Sequence, residues 1–285
     1  MKAKAMWILL RDTCLEWYMD RGARLGAALA YYTVFSLAPL LIITLSIATL
    51  VFEQEAVQRH ILKQISELVG ADGAKAIRTM LERAQRPTSG MFATAIGLVT
   101  LLFGATLVFG ELQDALNTIW KAPPRAGRGL LLGILRERLL AFVLVLGMGC
   151  LLLLSLVLST VLLALNELLR ALIPRGVDLL RIGNMIFLFS VVTLLSAMIY
   201  KVLPEIKIAW SDVLIGAIMT AVLFLIGKVL IGLYLGVSKM AWGYGAAGSL
   251  VIILVWVYYS AQILYFGAEF TKVYANRYGS RRCLP

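Results

Sequence analysis

Charge is what this chain runs short of, and its scarcity is uneven. Asp, Glu, Lys and Arg make up 15% of the 285 residues, against about 25% in soluble domains. None of the four occurs in 25–52, 87–110, 139–166, 182–200 or 240–268, and 213–237 is interrupted only by Lys228. A water-soluble globular chain is thereby excluded. Histidine is nearly absent too: His60 stands alone. Metal sites and acid–base catalysis at a phosphate use clusters of such groups, and no H-x-E, H-x-H or paired-Asp pattern is present. The sequence therefore predicts no catalytic residue and no bound metal. Three cysteines, Cys14, Cys150 and Cys283, are scattered without a CxxC or Cys/His spacing, which argues against a disulfide framework or zinc site. No G-x-x-x-x-G-K-[ST] loop occurs, so no nucleotide or other cofactor is expected.

What fills the chain instead is hydrocarbon. Hydrophobic residues reach 61%, and a helix needs about 20 of them to cross about 30 Å of bilayer core. Each charge-poor run meets that length. Inside lipid every backbone group must be satisfied internally, so only helices or closed barrels cross. Runs this long do not fit ten-residue barrel strands of alternating polarity. The fold class is an all-α integral membrane protein of six transmembrane helices, at about 27–52, 91–110, 139–165, 182–200, 213–236 and 245–268. They form one membrane domain over 25–268, between an N-terminal amphipathic helix over 1–24 and a tail over 269–285. The first apolar run, 28 residues long, exceeds the roughly 7–15-residue core of a cleaved signal and is expected to stay as the first span.

The net charge of +11 is a matter of topology before it suggests nucleic acid, because cytoplasmic loops collect Lys and Arg. With both ends inside, the inner pieces carry 16 Lys and Arg and the outer pieces 10. Six of those ten lie in 53–90, where Glu53, Glu55, Glu67, Asp72 and Glu82 nearly balance them. Cytoplasmic termini follow, and no nucleic-acid partner. In that outer loop Val57, Ile61, Ile65 and Leu68, and after a Gly70–Gly73 break Ala74, Ile77, Leu81 and Ala84, recur at helical spacing. This predicts two short amphipathic helices on the membrane surface or capping the bundle. In the N-terminal segment Trp7, Leu10, Cys14 and Trp17 share one face, with charges on the other. Trp120, followed by Lys121, Arg125 and Arg128, reads as an interfacial tryptophan beside headgroup-facing cations.

Lys228 is the sharpest functional candidate, since an ionisable residue within a span costs about 2.5–3.5 kcal/mol on insertion scales. It follows Asp212 by 16 residues, about 24 Å of helix, which places it in the outer half. It either contacts an anionic group or snorkels to the outer headgroups. Pro39, mid-span in the first helix, removes a backbone bond and predicts a kink, with Thr33, Ser36 and Tyr31 on the neighbouring turns. Gly243, Gly245 and Gly248 permit an irregular or tightly packed entry to the last span. Charge, broken helix and glycine entry together follow the logic of transporter sites, and these residues form the candidate substrate or lipid contact. Gly22, Gly26 and Ala30 at four-residue spacing suit close helix packing or, alternatively, oligomerisation. Tyr258, Tyr259, Gln262 and Tyr265 give the last span a polar side expected to face the bundle.

Several stretches resemble the YihY/virulence factor BrkB family of bacterial inner-membrane proteins. They are Ala28-Leu-Ala-Tyr-Tyr-Thr-Val-Phe-Ser-Leu-Ala-Pro-Leu40, which contains Tyr32, and Phe109-Gly-Glu-Leu-Gln-Asp-Ala-Leu-Asn-Thr-Ile-Trp120, which contains Glu111 and Asn117. The others are Tyr200-Lys-Val-Leu-Pro204, and Tyr244-Gly245 leading into Trp256 and Gly267-Ala-Glu269. The resemblance implies six spans and an inner-membrane location, without a settled activity: some members carried a ribonuclease BN label, and others are linked to serum resistance and envelope integrity. It makes transport of lipid-like or anionic envelope material the leading expectation, with anionic membrane lipids as the expected partners and a homo-oligomer or an envelope partner protein beside them. The alternative is a non-catalytic structural or partner-recruiting membrane protein. The missing acid–base cluster speaks against a nuclease.

Overall fold

A computed structural model describes residues 3–34, 107–123, 177–237 and 248–282, with single positions between 53 and 79. Among the described residues all regular structure is helical and no strand occurs. The elements are α1 (Ala3–Met19), α2 (22–34), α3 (107–119), α4 (Val177–Val202), α5 (Trp210–Val237) and α6 (Gly248–Arg277). Three of them, α4, α5 and α6, are long and apolar enough to cross a membrane. At 26, 28 and 30 residues they measure about 39, 42 and 45 Å at ~1.5 Å per residue. The first three expected spans fall largely outside the described residues, although 27–34 and 107–110 are helical. The described positions of the 53–79 stretch include helical ones at 55, 58, 59, 62, 63, 66, 74, 75 and 77–79, with Ile77 buried while Lys75, Arg78 and Thr79 are exposed.

Local chemistry explains where the helices stop. Leu203-Pro204 follows α4, and proline lacks the N–H that another turn requires. α5 opens with Ser211 and Asp212, whose carboxylate complements the positive end of the helix dipole. α3 closes in a Schellman-type turn: Lys121 takes φ 51°, its N–H donates to the Thr118 carbonyl, and the Ala122 N–H reaches the Asn117 carbonyl before Pro123. Between α1 and α2 the chain breaks at Arg21, which adopts φ 55°.

α5 packs against both α4 and α6, and α1 runs along α6. Close contact comes from glycine. A Cβ at Gly26 would fall on the Gln262 amide, and one at Gly267 would meet Thr220 and lie 2.6 Å from Tyr200 Oη. Where backbones meet, Tyr200 of α4 reaches between its neighbours and donates to the Leu264 carbonyl at 2.6 Å, with Thr220 Oγ1 2.8 Å away. Around this crossing lies the core of Leu29, Leu116, Ile119, Trp120, Tyr200, Val213 and Tyr265. The opposite faces carry exposed apolar residues: Leu214, Ile218, Val222, Ile226 and Val229 form a stripe along α5. That pattern, packed on one side and apolar on the other, suits helices whose outer faces meet lipid.

Two expectations need correction. Trp120 is not an interfacial anchor: it is 4% exposed and sits in the core, with the Arg281 guanidinium 5.9 Å from its ring centre. Sequence placed it in a basic loop, but the Schellman turn closes the helix after it and holds the ring inward. Tyr258 does not join Tyr265 inside the bundle. It is exposed, whereas Tyr265 is fully buried, although residues seven apart share a helix face, so the packing around α6 changes along its length.

Candidate functional site

The described polar groups gather at one end of the bundle. Lys272 of α6 is the centre: its ammonium donates to Glu16 Oε2 at 2.7 Å, Asp20 Oδ2 at 3.1 Å and Glu269 Oε2 at 3.1 Å. Glu269 is 1% exposed, and α6 continues unbroken from Gly248 through Arg277, so Glu269 and Lys272 share a face one turn apart. A buried charge is costly unless paired, and here one cation is shared by three carboxylates. Their oxygens lie within 4.8 Å of one another, a spacing that would also admit a metal ion. Lys272 already supplies the positive charge at that point, so the donor set fits an internal ammonium rather than a resident metal.

α1 and α2 track α6 in the antiparallel sense. Asp12 meets Arg277 at 2.7 Å, Glu16 and Asp20 meet Lys272, and Gln262 Nε2 donates to the Gly22 and Ala23 carbonyls at 3.3 and 3.4 Å. The charged face of α1 is thus a docking face. Leu9 and Thr13 are buried beside it, while Trp7, 70% exposed, and Cys14 point outward. Lys272, foremost through its hydrogen bond, and then Lys121 hold Glu16 below its ordinary value of 4.5, against the opposing effect of burial. Asp12 is likewise held low, first by the Arg11 hydrogen bond and then by Arg277.

Three further links close this end. Asn117 Oδ1 accepts the Glu205 N–H at 3.0 Å, tying α3 to the α4–α5 connection beside buried Pro204. Lys201 donates to the Ile208 carbonyl and lies 5.4 Å from the Trp210 ring centre. Asp212, buried at the start of α5, accepts the Ser280 N–H at 3.0 Å and its hydroxyl at 2.6 Å, so the turn after α6 is fastened to α5. Motif positions far apart in sequence, Asn117, Trp120, Pro204 and Glu269, therefore meet at one end. Glu111 is half-buried on α3, and Tyr32 packs edge-on against exposed Tyr31 at 5.5 Å.

The residues singled out for substrate contact stand elsewhere. Lys228 is half-buried on α5, one turn beyond Phe224, whose ring packs edge-on against Trp256 at 6.3 Å. Among the described residues it makes no hydrogen bond or ion pair. It stands on the face of α5 that carries buried Ala217 and Ala221, beside the exposed stripe. Gly248 begins α6. Pro39, Ser36, Gly243, Tyr244 and Gly245 lie outside the described residues, so their meeting with Lys228 is not seen. What sequence reasoning missed is the Lys272 centre. Its signal was present in Asp12, Glu16 and Asp20 at four-residue spacing, matched in reverse by Arg277 and Lys272.

These features define a helical membrane protein with an ion-paired collar at one end. The sequence model of the virulence factor BrkB family matches residues 13–283, and the chain belongs to that family. It is similar to a UPF0761 membrane protein of Pseudomonas aeruginosa, 29% identical over 93% of this chain and 62% of the relative. A UPF0761 membrane protein of Ralstonia nicotianae is 27% identical over 93% and 59%, and one of Tolumonas auensis is 30% identical over 88% and 80%. This chain thus spans about three-fifths of the length of the first two. No solved structure matches. The relatives' names mark a membrane location and carry no catalytic activity.

Proposed function

We propose that this chain is a six-span protein of the bacterial inner membrane, both termini cytoplasmic, which moves lipid-like or anionic envelope material by a transporter or translocase mechanism. The observation that carries the reading is Lys228. It is an ionisable side chain in a span, half-buried at the edge of a lipid-facing stripe, with no ion-pair partner among the described residues. In this reading the collar lies on the cytoplasmic side and Lys228 about 24 Å above Asp212 along α5, within reach of the outer leaflet. A flexible ammonium suits a phosphate that must be bound and released. Pro39 and the Gly243–Gly248 entry would supply the breaks that let helices part around it. No step is assigned to catalysis, because the carboxylates at the collar are engaged by Lys272.

A second reading, a structural or partner-recruiting protein, is favoured by the collar itself, which fastens α1, α3, α5 and α6 together. Reconstitution separates the two. Lys228→Met keeps the stem and removes the charge, so the protein should insert and fold at least as well as the parent. Lipid scrambling or flux in proteoliposomes should fall about tenfold or more, the loss expected when a charged hydrogen bond of ~1.5–3 kcal/mol is removed, and Lys228→Arg should restore only part. Equal flux in Lys228→Met and parent would assign the side chain to snorkelling and leave the structural reading.

A further inference from the structure

The ion-paired collar carries more negative charge than its cations balance. Glu16 and Asp20 of α1 and Glu269 of α6 bring three carboxylates to Lys272, and the only other cation on them is the exposed Lys121, which meets Glu16 alone. Among the described residues the neighbouring groups are engaged elsewhere. Arg11 and Arg277 pair with Asp12, Arg24 of α2 acts on Glu111 of α3, and Arg281 lies at the Trp120 ring. From α4, Lys201 donates to the Ile208 carbonyl and Tyr200 to the Leu264 carbonyl. Asp212 of α5 is bonded to Ser280. Tyr265, one turn before Glu269 on α6, feels the charge of Glu111 and brings no positive charge. One negative charge is left over.

The carboxylates also stand close. Oxygens of Glu16, Asp20 and Glu269 lie within 4.8 Å of one another, and Asp20 is within hydrogen-bonding reach of Glu269. Carboxylates sharing a site disfavour each other's ionisation, and burial adds to the effect. Glu269 is the buried member. Its Oε2 accepts from the Lys272 ammonium at 3.1 Å, while its Oε1 is buried with no hydrogen-bond partner among the described residues. A buried acceptor left unmade is costly. A proton on Glu269 answers both problems: it removes the excess charge, and the O–H so formed donates to the neighbouring carboxylate in a charge-assisted bond. Water has access to the place. A cleft of about 380 Å³ between α1 and α6 is lined by Asp12, Glu16, Met19, Lys272, Asn276 and Arg277, so two members of the collar border solvent next to Glu269.

We propose that the collar binds one exchangeable proton, held on Glu269 and shared with Asp20, and that its release loosens the contact of α1 with α6. The site is independent of whether the protein transports lipid. It is tested on the purified full chain in detergent by infrared difference spectroscopy from neutral to alkaline pH. Carboxyl groups in water are already ionised at neutral pH, so only an acid retained inside the fold loses its C=O band over that step. The parent should lose one such band, Glu269→Gln should have none to lose, and Asp20→Asn should shift the band by removing the carboxylate that shares the proton. Glu111→Gln should leave it unchanged. Glutamine resembles the protonated acid, so Glu269→Gln should fold; should it fold poorly, the band shift in Asp20→Asn decides. Melting gives a second readout. The unfolded glutamate is ionised throughout this range and the folded one gives up its proton within it, so the parent should lose stability relative to Glu269→Gln as pH rises. A parent without the band, a band that survives Glu269→Gln or follows Glu111, an unshifted band in Asp20→Asn, or parallel melting of parent and Glu269→Gln would overturn the proposal. Because the readout is proton binding at the collar, its failure is distinct from a failure of flux at Lys228.

Discussion

At the scale of single residues, two lysines with similar partners should behave very differently. Lys272 and Lys121 both contact Glu16, but their side chains are 7% and 63% exposed. Removing Lys272 leaves buried Glu269 without its cation, beside Asp20 and a Glu16 that keeps only the exposed Lys121, and breaking a buried pair in this way costs about 3–5 kcal/mol. Lys272→Met should therefore unfold at markedly lower temperature in detergent, while Lys121→Met should shift stability by about 1 kcal/mol or less. Similar melting of the two variants would show that the collar is not held by its buried charge. Acid offers a second test. Glu16 titrates below its unfolded value of 4.5 when folded, so its contribution is present above 4.5 and disappears as pH falls through the folded value. The melting gap between parent and Glu16→Gln should be open at neutral pH and close in acid below 4.5. A gap that persists unchanged into acid would assign the effect to packing.

At the scale of elements, the spacing between helices is set by where side chains are missing. A methyl added at Gly267 must displace Thr220 or Tyr200, and overpacking of a tight core costs about 1–3 kcal/mol. Gly183 on α4 has open space beyond its Cα, where alanine in place of glycine stabilises a helix by about 0.5–1 kcal/mol. Thermal unfolding should thus rank Gly183→Ala at or above the parent and Gly267→Ala below it; the reverse order would show that α5 and α6 do not cross where Gly267 stands. The same reasoning explains Gly22, Gly26 and Ala30. All three are buried, and Gly26 admits the Gln262 amide, so this stripe serves packing within the chain.

At the scale of the whole molecule, the charge count predicts a cytoplasmic collar. Inner pieces carry 16 Lys and Arg against 10 outside when both ends are cytoplasmic, and the collar gathers many of those inner cations. A reporter active only in the cytoplasm, fused after Tyr278, should be active, and one that works only outside should be silent. A stable fusion with the opposite result would turn the molecule over and place Lys228 in the inner half.

Length and composition alone determined that the chain is helical and membrane-bound, because hydrocarbon tolerates no unpaired backbone and six runs are long enough to cross it. Helix limits were legible only in part: the expected 182–200 and 213–236 lie inside α4 and α5, where Pro204 and Asp212 punctuate the chain, whereas the expected 245–268 stops short of α6, which runs on through the expected tail to Arg277. Lys228 was visible as an isolated charge in an apolar run. The tertiary structure alone decided what the remaining charges do. Asp12, Glu16 and Asp20 read as the wet side of a surface helix, yet they dock on Arg277 and Lys272 some 250 residues later in the chain. Trp120 read as an interfacial anchor and lies in the core, since a left-handed residue at Lys121 turns the chain away behind it. Periodicity reports which residues share a face. What that face meets is set by pairings across the whole chain, and those depend on backbone approach and on charges that find each other only when the helices stand side by side.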